Sequence, residues 1–242
     1  YQHDWSIRDS SHFAEYMTPY YATHATLMVQ ALAELHRYDV MNELQIIKID
    51  TSAVVDSSDD SQDYFSVFIE AKARDVLMDE TQKQLFVNKK PFIEEWTFQR
   101  SDNTWLLANI RQTTEAPQLR EQDMQQFAEQ NNLFYSLDMG WLFIPARGEL
   151  FNNGKYSFGY SDINNHIIGL WGENLVQIYT YVCAENQSNQ NDKSFLVGQI
   201  HVPKEYGGIL IERKKGIFKR LFAPKGYQKY EFEWPDFNKR YQ

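Results

Sequence analysis

A single cysteine, Cys183, stands in the whole chain of 242 residues, so neither an internal disulfide nor a cysteine-only zinc site can form. One thiol is compatible with a reducing compartment without requiring one. No uninterrupted apolar run approaches the ~20 residues that span a bilayer, and no signal peptide opens the chain. Positive charge is in short supply: 24 Lys and Arg against 33 Asp and Glu give a net charge of −9 and a pI near 5.2. That balance argues against a polyanion-wrapping protein, and so against nucleic acid as the partner. Phosphate-cradling G-x-x-x-x-G-K, dinucleotide-type G-x-G-x-x-G and nucleophile-elbow G-x-S-x-G elements are all missing. His3, His12, His24, His36, His166 and His201 make no H-E-x-x-H spacing. The acidic stretch at 56–63 lacks the glycine and distal glutamate of a calcium loop. No metal and no cofactor are therefore expected.

What the chain does have is an ordinary globular balance, 43% hydrophobic and 24% charged, with 15% aromatic residues. Aromatic richness excludes wholesale disorder, and a chain of this length buries roughly 70% of its unfolded surface without staples. Tyr1 and Gln242 read as the ends of a piece of a longer protein. Anchors and signals are expected in segments beyond them.

The first 36 residues read as helical. Thr18 can cap free amides and Pro19 suits the first helical position. Leu27, Met28, Ala31, Leu32 and Leu35 then fall on one helix face. Trp5, Phe13 and Met17 mark an earlier, separate amphipathic helix. From Glu43 to Val55 β-branched residues predict a strand, followed by the acidic, serine-rich turn. Phe65, Val67, Ile69, Ala71 and Ala73 alternate with Tyr64, Ser66, Phe68, Glu70, Lys72 and Arg74, the pattern of a long half-buried antiparallel strand. Phe92–Arg100 and Thr104–Ile110 flank the turn Ser101-Asp102-Asn103 and predict a hairpin carrying Trp96, Phe98 and Trp105. Helices followed by a long antiparallel sheet give an α+β layer.

A polar connection at 113–118 precedes a Gln- and Glu-rich helix over 119–132, with Met124, Phe127 and Ala128 on one side. The expected organisation is a domain over 1–115, a linking helix within 116–140 and a mostly β domain over 141–242. Its strands are expected at Trp141–Ile144, Lys155–Tyr160, His166–Trp171, Leu175–Val182, Phe195–Val202, Ile209–Arg213 and Tyr227–Trp234.

The run Glu95-Trp96-Thr97-Phe98-Gln99-Arg100, followed by Trp105-Leu106-Leu107-Ala108-Asn109-Ile110, resembles the Tim-forty-four-like domain family over roughly residues 5–113. The upstream run Asp63–Asp75 fits the same pattern. The resemblance implies a cone-shaped, nuclear-transport-factor-two-like fold, with N-terminal helices wrapped on a curved sheet. It also implies the role of the mitochondrial member, a peripheral inner-membrane scaffold that binds anionic lipid and recruits a chaperone; the lipid-binding helices of that member precede the cone. The second half looks like a bacterial family with no chemistry assigned to it, on Arg147-Gly148-Glu149-Leu150-Phe151, the strand around Gly198 and the closing Phe237-Asn238-Lys239-Arg240-Tyr241.

Two function classes follow. The favoured one is a non-enzymatic scaffold or binding module of a membrane-associated bacterial protein, contacting a protein partner or an anionic membrane surface. Its membrane or anion contact would be Arg213, Lys214, Lys215, Phe218, Lys219, Arg220, Phe222 and Lys225. These lie in a stretch, 213–229, with seven cations and no acid. A solvated hairpin tip is the plainer account of the same residues. Trp96, Phe98 and Trp105 are the candidate partner or pocket aromatics, or else core. The alternative is a small-molecule-binding or enzymatic pocket, isomerase- or dehydratase-like, as in the cone folds of ketosteroid isomerase and scytalone dehydratase. Its base would come from Asp4, Asp9, His12, His24 or Asp75.

Overall fold

The computed structural model describes residues 1–112, 119–136, 142–143, 161–183, 193–204 and 233–236. Residues 1–201 form one compact unit and 202–242 a second. Among the described residues no helix is long and apolar enough to cross a membrane.

Two short helices, α1 (Gln2–Ser6) and α2 (Phe13–Tyr16), stand where one amphipathic stretch was read, and they bury Trp5, Phe13 and the following Met17. Helix α3 (Pro19–Glu34) begins as its residues dictate. Thr18 is its N-cap, with the side-chain oxygen accepting from the Tyr21 amide, and Pro19 sits at the first turn where an N–H has no partner to lose. Leu27, Met28, Ala31 and Leu32 are buried along one side. Each such leucine stabilises the fold by about 1.5–3 kcal/mol relative to exposure. The helix ends where His36 adopts a left-handed backbone, φ 55°.

Strand β1 (Arg37–Val55) starts six residues before the expected Glu43. It pairs antiparallel with β2 (Tyr64–Asp79) across the acidic turn. In that turn Asp63 is buried, accepting from the Ser57 amide and from Arg100 Nη1. A short strand unseen in the sequence, β3 (Gln84–Asn88), pairs with the far end of β2. The anticipated hairpin is β4 (Phe92–Ser101) and β5 (Thr104–Gln112). The sheet order is β1-β2-β4-β5 with β3 on β2, and the Thr18 amide donates to the Leu107 carbonyl, tying the start of α3 to β5.

Helix α4 (Leu119–Gln130) buries Ala128 but leaves Phe127 43% exposed, so these two residues do not share a buried face. The second sheet runs β6 (Phe134–Ser136), β7 (Ser161–Trp171), β8 (Asn174–Cys183) and β9 (Lys193–Ile200), antiparallel throughout. Three expected strands, at 166–171, 175–182 and 195–202, are found here, the last ending two residues early. The strand expected over Trp141–Ile144 is not formed at Leu142 and Phe143, which make a tight helical turn and are fully buried. A turn buries both side chains where a strand would alternate them. Leu142, Phe143, Ile168 and Leu175 continue the apolar cluster built on α3, Leu77 and Leu107. The expected strands at 155–160 and 209–213, and the domain junction at 113–118, lie outside the described residues. So does the strand at 227–234 but for Glu233 and Trp234, which belong to no strand. The α+β class with antiparallel sheets is the observed one.

Candidate functional site

The face of the first sheet that carries Trp96 is built by register. Phe65 opposes Val54 and Phe98, Val67 opposes Thr51 and Trp96, Ile69 opposes Ile49 and Glu94, and Ala71 opposes Ile46 and Phe92. Directly paired residues share a face, so Ile46, Ile49, Thr51 and Val54 form its outer row along β1. In a regular strand Ile46 and Ile49 would point to opposite faces, as would Ile49 and Val54, because their separations are odd. Register shifts between Ile46 and Lys48 and between Thr51 and Ala53 insert one residue each and bring all three aliphatics to one side. They are exposed there: Ile46 58%, Ile49 56%, Val54 69%.

Inward from that row the three aromatics singled out in the sequence meet. Phe98 stacks on Phe65 at 5.0 Å, Trp105 meets Phe65 edge-on at 4.9 Å, and Trp96 lies 6.4 Å from Phe98. Trp96 and Phe98 are half-buried against the main core, whereas Trp105 is 43% exposed. Trp96 Nε1 donates to Glu94 Oε2 at 2.9 Å, and Tyr1 packs edge-on against the indole. The same face is therefore core at the helix side and solvent-exposed at the β1 side.

Around the exposed row acids outnumber bases: residues 43–74 hold seven carboxylates against Lys48, Lys72 and Arg74, and the last two pair in register with Gln45 and Asn42 on β1. Lys48 pairs with Asp50, and Arg100 with Asp60 and Asp63. Glu43, Asp56, Asp59 and Glu70 have no ion pair among the described residues.

Of the five groups named as candidate bases, four are ordinary in their contacts. Asp4 accepts from the Tyr16 hydroxyl. Asp9 caps the Ser11 amide, which lowers its pKa, and exposed His12 pairs with Glu15, which raises its own. His24 stacks on Phe134 at 5.1 Å, its ring near the Ser136 hydroxyl. Burial, with the nearby His166, pushes its pKa down to about 3, so it is neutral. Asp75 differs. It faces Asp39 within hydrogen-bonding reach, and burial together with the Asp39 charge raises its pKa to about 8. Asp39, also raised by burial, accepts from Trp5 Nε1 at 2.8 Å. The Oδ1 atoms of both are sealed from solvent, and among the described residues no group outside the pair donates to them. Two carboxylates hold this arrangement by keeping a proton between them. Asp39 escaped the sequence reading because its strand was expected to start only at Glu43.

A second buried polar cluster joins β7, β8 and the residue after β9. His166, stacked on Phe143 at 4.6 Å, contacts Gln177 Oε1 at 2.7 Å, and Gln177 Nε2 contacts His201 Nε2 at 2.8 Å. Burial lowers the His166 pKa to about 4. Among the described residues no group of three or more His, Cys, Asp or Glu side chains is placed to hold a metal ion. Arg213, Lys214, Lys215, Phe218, Lys219, Arg220, Phe222 and Lys225, the candidate membrane or anion contact, lie outside the described residues.

No family model matches the chain, and no curated protein matches it. Among solved structures it is similar to the intermembrane space region of the chloroplast protein ARC6, at 13% identity and a TM-score of 0.34, covering 46% of this chain and 88% of that one. It is also similar to an NTF2-like protein involved in plasmid conjugation, at 10% identity and a TM-score of 0.29, covering 84% of each chain.

Proposed function

We propose that this chain is a non-enzymatic binding module that takes a protein partner on the exposed row of its first sheet. The observation that supports it most is the placing of Ile46, Ile49 and Val54 on one face by two strand irregularities, next to Trp105 and the Phe65–Phe98 stack. Contiguous exposed apolar surface marks interaction sites, and an exposed indole such as Trp105 is a usual anchor within one. The resemblance to Tim-forty-four-like domains points the same way, as does the nuclear-transport-factor-two-like cone that it implies. A membrane-associated location belongs to this proposal and rests on the resemblance and the 213–229 composition. A photo-crosslinking residue placed at Ile49 in cells tests the reading, with one at exposed Thr23 as reference. Discrete adducts from position 49 alone support it; the same adducts from both positions, or none from position 49, overturn it.

The Asp39–Asp75 pair favours a second reading, a small-molecule pocket with acid–base chemistry. A carboxyl that holds its proton near neutral pH is suited to general acid or base work. The test is exchange of the α-protons of small carbonyl compounds with deuterated solvent. Exchange that is catalysed by the chain and lost in Asp75→Asn would establish this reading in place of the first.

A further inference from the structure

The occupant of the exposed row can be specified by charge. Ile46, Ile49, Thr51 and Val54 bring no cation to their face, because Lys48 pairs across to Glu70 on the opposite one. At the register positions that line the face the charged side chains are Glu94, whose carboxylate holds the Trp96 indole, and Arg100 opposite Trp105, whose charge is already paired with Asp60 and Asp63. Carboxylates stand at both ends of the row: Glu43 in the first irregularity, Asp56 and Asp59 in the turn. A partner laid along the row meets aliphatic surface in the middle and negative charge at each end.

The mode of contact follows from the same strand. Among the described residues β1 is a sheet edge of 19 residues, and an edge of that length would ordinarily template a further strand. Three register shifts, at 42–45, 46–48 and 51–53, interrupt its outward row of amides and carbonyls. They leave no stretch of regular pairing longer than Lys48–Thr51 in that half. Irregularities of this kind blunt strand addition. Contact with the face by side chains, as an amphipathic helix makes it, needs no continuous ladder.

Resting on the binding-module reading above, we infer that the β1–β2 hairpin docks a cationic amphipathic segment of a partner protein, its apolar side on Ile46, Ile49 and Val54 and its cations toward Glu43, Asp56 and Asp59. Opposite charge at the rim sets orientation and speeds encounter, while the aliphatic row supplies the contact that salt does not screen.

The test is titration of the full chain with three synthetic amphipathic peptides of one pattern, Leu with Lys, Leu with Gln and Leu with Glu, followed by calorimetry. The Leu–Lys peptide binds, about tenfold or more tighter than the Leu–Gln peptide, and its affinity falls as salt rises. The Leu–Glu peptide does not bind. Ile49→Ser with Val54→Ser abolishes binding while the melting temperature holds, since both side chains are exposed. Glu43→Gln, Asp56→Asn and Asp59→Asn together bring the Leu–Lys peptide down to the Leu–Gln affinity. Equal binding of the Lys and Glu peptides, lost in the Ile49 and Val54 variant, overturns the charge assignment and leaves the docking face standing. Binding that survives the Ile49 and Val54 variant, or no binding of any peptide, overturns the inference.

Discussion

Ile49 on β1 stands directly opposite Ile69 on β2, yet Ile49 is 56% exposed while Ile69 is half-buried. The pair marks the line where the first sheet passes from core to surface. The consequence for stability is a contrast. Ile49→Ser should change the free energy of unfolding by no more than about 0.5 kcal/mol, as exposed substitutions do. Leu77→Ala, at a side chain with no exposure, should cost about 2–5 kcal/mol. Urea unfolding at constant slope measures both. A cost at Ile49 matching that at Leu77 would place it in the core.

Asp75 should make the fold sensitive to base. Its pKa is near 8 in the folded chain against 3.8 as the ordinary value. Between those values the folded state holds a proton that the unfolded state has released, so stability falls as pH rises across that window. Asp75→Asn keeps the shape and a donor for Asp39 without the titration. Wild type should lose stability relative to Asp75→Asn between about pH 4 and pH 8. Parallel pH profiles would mean that no proton is shared.

His24 and His166 should make it sensitive to acid. Folded pKa values near 3 and near 4 lie below the ordinary 6.5. The unfolded state therefore binds more protons as pH drops through 6.5, and stability falls with it. His24→Phe, whose ring can keep the stack on Phe134, should move the acid unfolding midpoint to lower pH. An unchanged midpoint in circular dichroism would assign acid unfolding to other groups.

Arg37, 1% exposed at the start of β1, donates from Nη1 to the Leu142 carbonyl at 2.9 Å, 105 residues away in sequence. Burial lowers its pKa to about 10. Arg37→Ala leaves that carbonyl without its donor and opens a cavity, and should cost about 3–5 kcal/mol. Arg37→Met, which refills the volume, should recover part of that. Equal losses in the two variants would put the whole effect on the hydrogen bond.

The elements that local chemistry dictates were readable in the residues. The Thr18–Pro19 helix start, the alternation from Phe65 to Ala73 and the Trp96–Trp105 hairpin all stand where spacing and capping put them. Alternation in β1 was not readable as a face, because odd separations among Ile46, Ile49 and Val54 become one row only through irregularities that pairing with β2 creates. The Asp39–Asp75 contact was half-readable. Asp75 continues the phase of Phe65 to Ala73, while Asp39 lies on a stretch that carries no β-branched signal until Val40. Burial of Arg37 and of the Leu142–Phe143 turn has no local signal at all, since each depends on a partner far along the chain.

The exposed row is tested most directly by methyl NMR of the isotopically labelled chain during titration with the Leu–Lys peptide. Shifts at Ile46, Ile49 and Val54, extending to Val67 and Ile69 beside them on the same face, are the expected result. Shifts at Leu170 and Leu196, exposed on the second sheet, with none on the β1 row, would contradict it.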